Sequence, residues 1–137
     1  MWTCPLCDQE FVRSNQVHSC LDKTLADFFN GRSENTVSLF WHLVKKYQEI
    51  GEVTIHPTKT MIAFAVKTRI AYITKLGKDF IDVTFPFRQP YHDNLCFHKI
   101  AQVPGQQQFN HLFRMMKKGD VNEEVMSFMK MAYEEGK

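Results

Sequence analysis

Thr60-Met61-Ile62-Ala63-Phe64-Ala65-Val66-Lys67 is the run that decides the fold. Successive side chains of a strand point to opposite faces. Here Ile62, Phe64 and Val66 alternate with Met61, Ala63 and Ala65, so both faces are apolar. The pattern predicts a central strand.

Outward from this run the period of two continues. Val53 to His56 reads as a short strand broken by Pro57-Thr58, Arg69 to Thr74 as the following strand, and Leu76-Gly77-Lys78 as a turn. Asp79 to Phe87 sets Ile81, Val83, Phe85 and Phe87 opposite Asp82 and Thr84, a strand with one wet face. Leu95 to Val103 and Gln107 to Phe113 form a hairpin around Pro104-Gly105, residues suited to a tight turn. The expectation is an antiparallel meander of about five strands. Arg88 to Asn94, with Pro90, Tyr91, His92 and Asp93, is the expected mobile loop.

Helical periodicity brackets the strands. Leu21 to Gly31 predicts a short helix with Leu25, Phe28 and Phe29 on one side and Gly31 as its stop. Ser33 is the expected N-cap of a longer helix carrying Val37, Phe40, Trp41, Val44 and Tyr47, with Gly51 at its end. Lys45 and Lys46 lie near that end, where the helix dipole favours cations, and read as solvated surface. Asp120 to Glu135 predicts a final helix. Asp120 and Glu123 make a capping-box pattern, and Val125, Phe128, Met129, Ala132 and Tyr133 form a stripe to pack on the sheet. The fold class is α+β.

The first twenty residues follow another logic. Cys4-Pro5-Leu6-Cys7 points two sulfurs at one centre, and His18-Ser19-Cys20 supplies two further ligands at i and i+2, which share a side only in an extended segment. Cys4, Cys7, His18 and Cys20 therefore predict a closed, structural Zn2+ site in a knuckle over residues 1–20, with Phe11 and Val17 as apolar plugs. The spacing is not that of a DNA-reading ββα finger. The alternative is free buried thiols or a disulfide pair. Against it, three of the four cysteines fall in this span beside a histidine. Cys96, in Leu95-Cys96-Phe97, reads as a small buried hydrophobe.

The chain has 137 residues, 44% apolar, which suits one domain over residues 21–137 with the knuckle packed on it as one folding unit. The formal charge is +2, and three thiolates with one dication bring it near neutrality, a weak electrostatic case for nucleic acid. There is no basic-then-apolar leader and no run of about 18 apolar residues. A soluble, cytoplasmic protein with reduced cysteines is expected, with no membrane partner.

The order of certain residues resembles a known family. Trp2-Thr3-Cys4-Pro5-Leu6-Cys7 with Asn15-Gln16 and His18-Ser19-Cys20, then His56-Pro57-Thr58-Lys59-Thr60 with Ile62-Ala63-Phe64, then His111 with Phe113-Arg114, and finally Ala132-Tyr133 resemble the family called domain of unknown function 5655. The resemblance implies a bacterial α+β domain of unassigned activity. It names no reaction.

Lys59, Thr60, Arg69, His56, His98, His111 and Arg114 are the polar residues that stand out, and no carboxylate pair, nucleophile elbow, P-loop or G-x-G-x-x-G accompanies them. Lys59 stands at the entry to the central strand, as a ligand-facing cation or a solvated lysine. His111 alternates with Phe109 and Phe113, as a ligand contact or a core-edge histidine satisfied by a hydrogen bond. Arg69 joins Lys59 only if the strand register allows it. The leading expectation is a non-catalytic binding module that presents Lys59, Thr60, Arg69 and His111 at the rim of a sheet to a small anionic or peptide ligand. Two alternatives stand beside it: a nucleic-acid-associated protein using Trp2, Arg13 and Arg32, and a metal-dependent hydrolase, for which the acidic cluster is missing.

Overall fold

The computed structural model describes residues 24–137 apart from Asp93 and Leu95, together with the backbone of Trp2, Thr3, Glu10 and Phe11. Two short strands come first, β1 (Trp2–Thr3) and β2 (Glu10–Phe11), paired antiparallel with Trp2 opposite Phe11. Cys4, Cys7, His18 and Cys20 lie outside the described residues, as do Leu21 to Lys23 of the first predicted helix.

That helix, α1 (Leu25–Phe29), begins at Thr24, where a reciprocal pair of bonds joins Thr24 and Asp27 (Asp27 N–H to Thr24 Oγ1, 3.2 Å; Thr24 N–H to Asp27 Oδ2, 2.9 Å). Ser33 caps α2 (Glu34–Ile50) by accepting from Thr36 N–H at 3.1 Å, and Gly51 follows its last turn. The buried face of α2 is turned from the expected stripe. Thr36, Leu39, Phe40, Leu43, Val44 and Tyr47 are buried, whereas Trp41 stays 48% exposed, its ring leaning on the edges of Phe29 and Phe40. The expected stripe takes in Trp41 and leaves out Leu39 and Leu43. Leu39 and Leu43 fix the face.

Six strands make the main sheet: β3 (Thr54–Pro57), β4 (Ile62–Ala65), β5 (Arg69–Gly77), β6 (Phe80–Phe87), β7 (Lys99–Gln102) and β8 (Phe109–Met115). Their spatial order is β3-β4-β5-β6-β8-β7 and each neighbouring pair is antiparallel. The meander therefore holds through β6, after which the chain runs to the far edge before β8 returns beside β6. Ile62, Ile73, Val83 and Phe113 stand in register as one row across four strands. All four are buried. Onto this face α2 packs, with Phe40 and Tyr47 stacked on Phe64 at 6.1 and 5.2 Å, and α3 (Glu123–Glu135) packs beside it through Phe128, Met129 and Ala132. On the opposite face Lys75, Asp82 and Arg114 stand in register. Arg114 grips nearly buried Asp82 bidentately, Nε to Oδ1 at 2.8 Å and Nη2 to Oδ2 at 3.2 Å, while stacking over Phe80 at 4.5 Å.

Three local expectations are corrected. The β5–β6 turn is Lys78-Asp79 rather than Leu76-Gly77-Lys78, because Asp79 takes the left-handed φ of 60° and its N–H donates to buried Thr36 Oγ1 at 3.0 Å. The last helix is capped by Asn122, which accepts from Val125 N–H at 3.0 Å, rather than by Asp120. Asp120 instead accepts from Met116 and Lys117 N–H at 2.8 and 3.1 Å and closes a 3-10 turn at Lys118–Asp120. Finally, β7 begins at Lys99, later than predicted, because 88–98 is spent crossing the sheet edge.

Candidate functional site

One end of the sheet is a meeting point for four chain segments. Because β5 and β6 are antiparallel, the start of β5 at Arg69 lies beside the end of β6 at Phe87, and β8 brings Phe109 opposite Phe87. The register of β4 against β5 slips between Phe64 and Ala65, leaving Ile70 in an extra position. Bulges re-aim side chains. Ile70 is buried against Gly136 at the end of α3, and Arg69 remains exposed. Any Cβ at position 136 would collide with Ile70 Cγ2, so glycine permits the close approach. Gly136 C=O accepts from Lys67 N–H at 2.9 Å and Thr68 N–H at 3.1 Å. That pair occupies the negative end of the helix, which would otherwise offset a nearby cation.

Between these segments lies a cleft of about 610 Å3. Thr68 and Arg69 line it from the start of β5, Phe87 and Arg88 from the end of β6, Gln106, Gln107 and Gln108 from the β7–β8 turn, and Glu135 and Gly136 from α3. Ion pairs among the described residues join Lys46 to Glu49, Arg114 to Asp82 and Lys137 to Glu134. Arg69 and Arg88 take part in none of them, and no described hydrogen bond engages either guanidinium. With Glu135 as the one acid among the described lining residues, the cleft carries an excess of positive charge, and the side-chain amides of Gln106 and Gln107 add donors while that of Gln108 donates to Asn110 Oδ1 at 3.0 Å. Such a lining suits an anion, since guanidinium forks match carboxylate and phosphate oxygens.

His111 lies beneath this end of the sheet. It is fully buried, ringed by Phe87 (5.1 Å), Phe97 (4.8 Å) and Tyr91 (5.5 Å). Its Nε2 accepts from Tyr91 N–H at 3.1 Å, and its Nδ1 lies 2.9 Å from Phe109 C=O. These partners define a neutral ring with the proton on Nδ1. Burial lowers its pKa, partly countered by the carbonyls of Phe109 and Phe85, with a small further lowering from His92. Cys96, half-buried in the neighbouring loop, has its thiol pushed up to about 12 by burial and by the Glu124 carboxylate.

The four ligand candidates from the sequence thus separate. Arg69 lines the cleft, and His111 lies under it without opening into it. Thr60 belongs to the opposite end of the sheet, because β4 starts at Ile62 there while Ala65 pairs with Arg69. It lines a separate hollow of about 230 Å3 with Arg32 and Lys75. Lys59 sits exposed in the turn next to Thr60, a turn tied by Thr58 Oγ1 accepting from Met61 N–H at 3.2 Å. Arg88 and the three glutamines were missed.

The molecule is thus a small antiparallel α+β domain with two helices on one face and a cationic cleft at one sheet end. The chain belongs to the family described as a domain of unknown function (DUF5655), whose model matches residues 25–136. The match takes in every described helix and the whole main sheet. Cys4, Cys7, His18 and Cys20 fall before it. No curated protein and no solved structure matches the chain. Among the described residues no helix is long and apolar enough to cross a membrane.

Proposed function

We propose that this chain is a zinc-stabilised, non-catalytic binding module that takes a small anionic ligand, or the acidic end of a peptide, in the cleft between Arg69 and Arg88. One observation carries the reading: two guanidiniums without a partner among the described residues line the same polar cleft. An arginine held near its own carboxylate is ordinary surface chemistry. Two without a partner among the described residues at one hollow, with the Gln106 and Gln107 amides in the same lining, are matched to a charge supplied from outside. The zinc part of the reading rests on Cys4, Cys7, His18 and Cys20, and is supported by the pairing of β1 with β2, which flanks the Cys4-Pro5-Leu6-Cys7 turn in sequence. A knuckle of this size has little core of its own, so the metal would supply its folding energy.

Inorganic pyrophosphate is a suitable probe, titrated calorimetrically at low ionic strength. Saturable binding at one site is expected, weakened roughly tenfold by either Arg69→Ala or Arg88→Ala, which corresponds to about 1.4 kcal/mol for each charge-assisted contact. Binding that both variants leave intact would remove this reading.

A further inference from the structure

We infer that His111 is an acid-released latch on the segment that carries Arg88: its neutral ring holds Tyr91 by the backbone, and protonation lets the segment go. The inference deepens the cleft reading above by naming a control on the same site. It also stands on contacts that do not require a ligand.

The hydrogen bonds of the ring fix one tautomer. Nε2 accepts from Tyr91 N–H, and Nδ1–H faces Phe109 C=O. A proton on Nε2 would set two donors against one another across 3.1 Å and place a positive charge in a fully buried position. Among the described residues no carboxylate faces the ring, and the carbonyls of Phe109 and Phe85 only partly offset the cost of burying that charge. From β6 it meets Phe85 and Phe87, from the loop Phe97 and Tyr91, and from β7 it has Ile100 opposite in register. The described titratable groups on these elements are no help. His92 repels a second positive charge, the Tyr91 phenol is turned to Met131 Sδ and Gln89, and Lys99 of β7 is exposed and cationic. From α3, Phe128 packs on Tyr91 and Phe97, and Glu124 is engaged by Asn94 and the Cys96 thiol. The cheaper response to acid is therefore to break the Tyr91 bond. Arg88 lies three residues before that bond, with Gln89 and Pro90 between, so its outer tether to the sheet is the latch.

The sign follows from linkage. A pKa lowered on folding means that the neutral ring favours the latched state above the unfolded value of about 6.5, and that this preference is lost as pH falls below it toward the folded value.

The test is amide hydrogen exchange of Tyr91 in the full chain, expressed as a protection factor at pH 7.5 and pH 5, with the global stability measured at both. The latch predicts at least a tenfold fall in Tyr91 protection in acid while core amides such as that of Val83 hold theirs. His111→Gln, whose side-chain carbonyl can still accept but cannot titrate, should keep Tyr91 protected at both pH values. Should that variant fail to fold, the nitrogen-15 shifts of the wild-type His111 ring decide: they must move with the same midpoint as Tyr91 protection. Constant Tyr91 protection, or a ring midpoint unrelated to it, overturns the inference. Pyrophosphate binding is read separately. Loss of the latch signal with binding intact refutes the latch alone, and a working latch without any binding refutes the cleft reading alone.

Discussion

At the scale of single residues, the two cations of the cleft differ in how the sequence announced them. Arg69 opens a predicted strand, and strand ends are where binding side chains collect. Arg88 obeys the same logic just after the end of β6 and before a Pro-containing loop, but alternation alone assigns it to the loop. The pairing of the two became visible only with the register, since β5 and β6 are antiparallel and a cation at the start of one meets a cation after the end of the other. His111 was legible as a residue sharing a face with Phe109 and Phe113. Its partner Tyr91, twenty positions earlier, was not. Tyr47 shows the opposite case: its hydroxyl is fully buried without a hydrogen-bond partner among the described residues, and burial raises its pKa. An unpaired buried hydroxyl costs stability, so Tyr47→Phe is expected to be neutral or to stabilise by about 1 kcal/mol in chemical denaturation. A loss of more than about 1 kcal/mol would mean that the hydroxyl has a partner.

At the scale of elements, the strands were legible from alternation because each has a face that must be apolar. The apolar stripe of α2 was misplaced by about one residue step, since Trp41 looked like core and is not. What joins α2 to the sheet is a polar contact that no periodicity encodes. Buried Thr36 Oγ1 donates to Gly77 C=O at 2.8 Å and accepts from Asp79 N–H, locking the first turn of α2 to the β5–β6 turn. Thr36→Val keeps the shape and strands both backbone groups. It should cost about 2–3 kcal/mol, against well under 1 kcal/mol for Thr36→Ser, which retains the hydroxyl. A larger loss in urea midpoint for Thr36→Ser than for Thr36→Val would show that the methyl, not the hydroxyl, matters there. The capping-box reading of Asp120 failed for a related reason. Asp120 found two backbone donors behind it, at Met116 and Lys117, and Asn122 was left nearest the helix.

At the scale of the whole molecule, the sequence made an α+β domain legible and left the position of its binding end open. That position depends on strand order, and the crossing to β7 before the return along β8 brings the Gln106–Gln108 turn to the same end as Arg69 and Arg88. Had the chain continued as a simple meander, those amides would have had a different neighbour. The proposed knuckle falls on residues outside the described main domain, and the zinc proposed for it is tested by mass. Native mass spectrometry of protein prepared without chelator is expected to give one zinc per chain, and Cys7→Ser to lose it. A chain folded identically with and without the metal would reduce the knuckle to an ornament on the domain.

The cleft itself is tested most directly by mapping amide and arginine side-chain resonances during a pyrophosphate titration at low ionic strength. Perturbations gathered at Thr68, Arg69, Arg88, Gln106 to Gln108 and Gly136 are the predicted result. Perturbations centred on Lys59, Thr60, Arg32 and Lys75 at the other end of the sheet, or none at all, would contradict it.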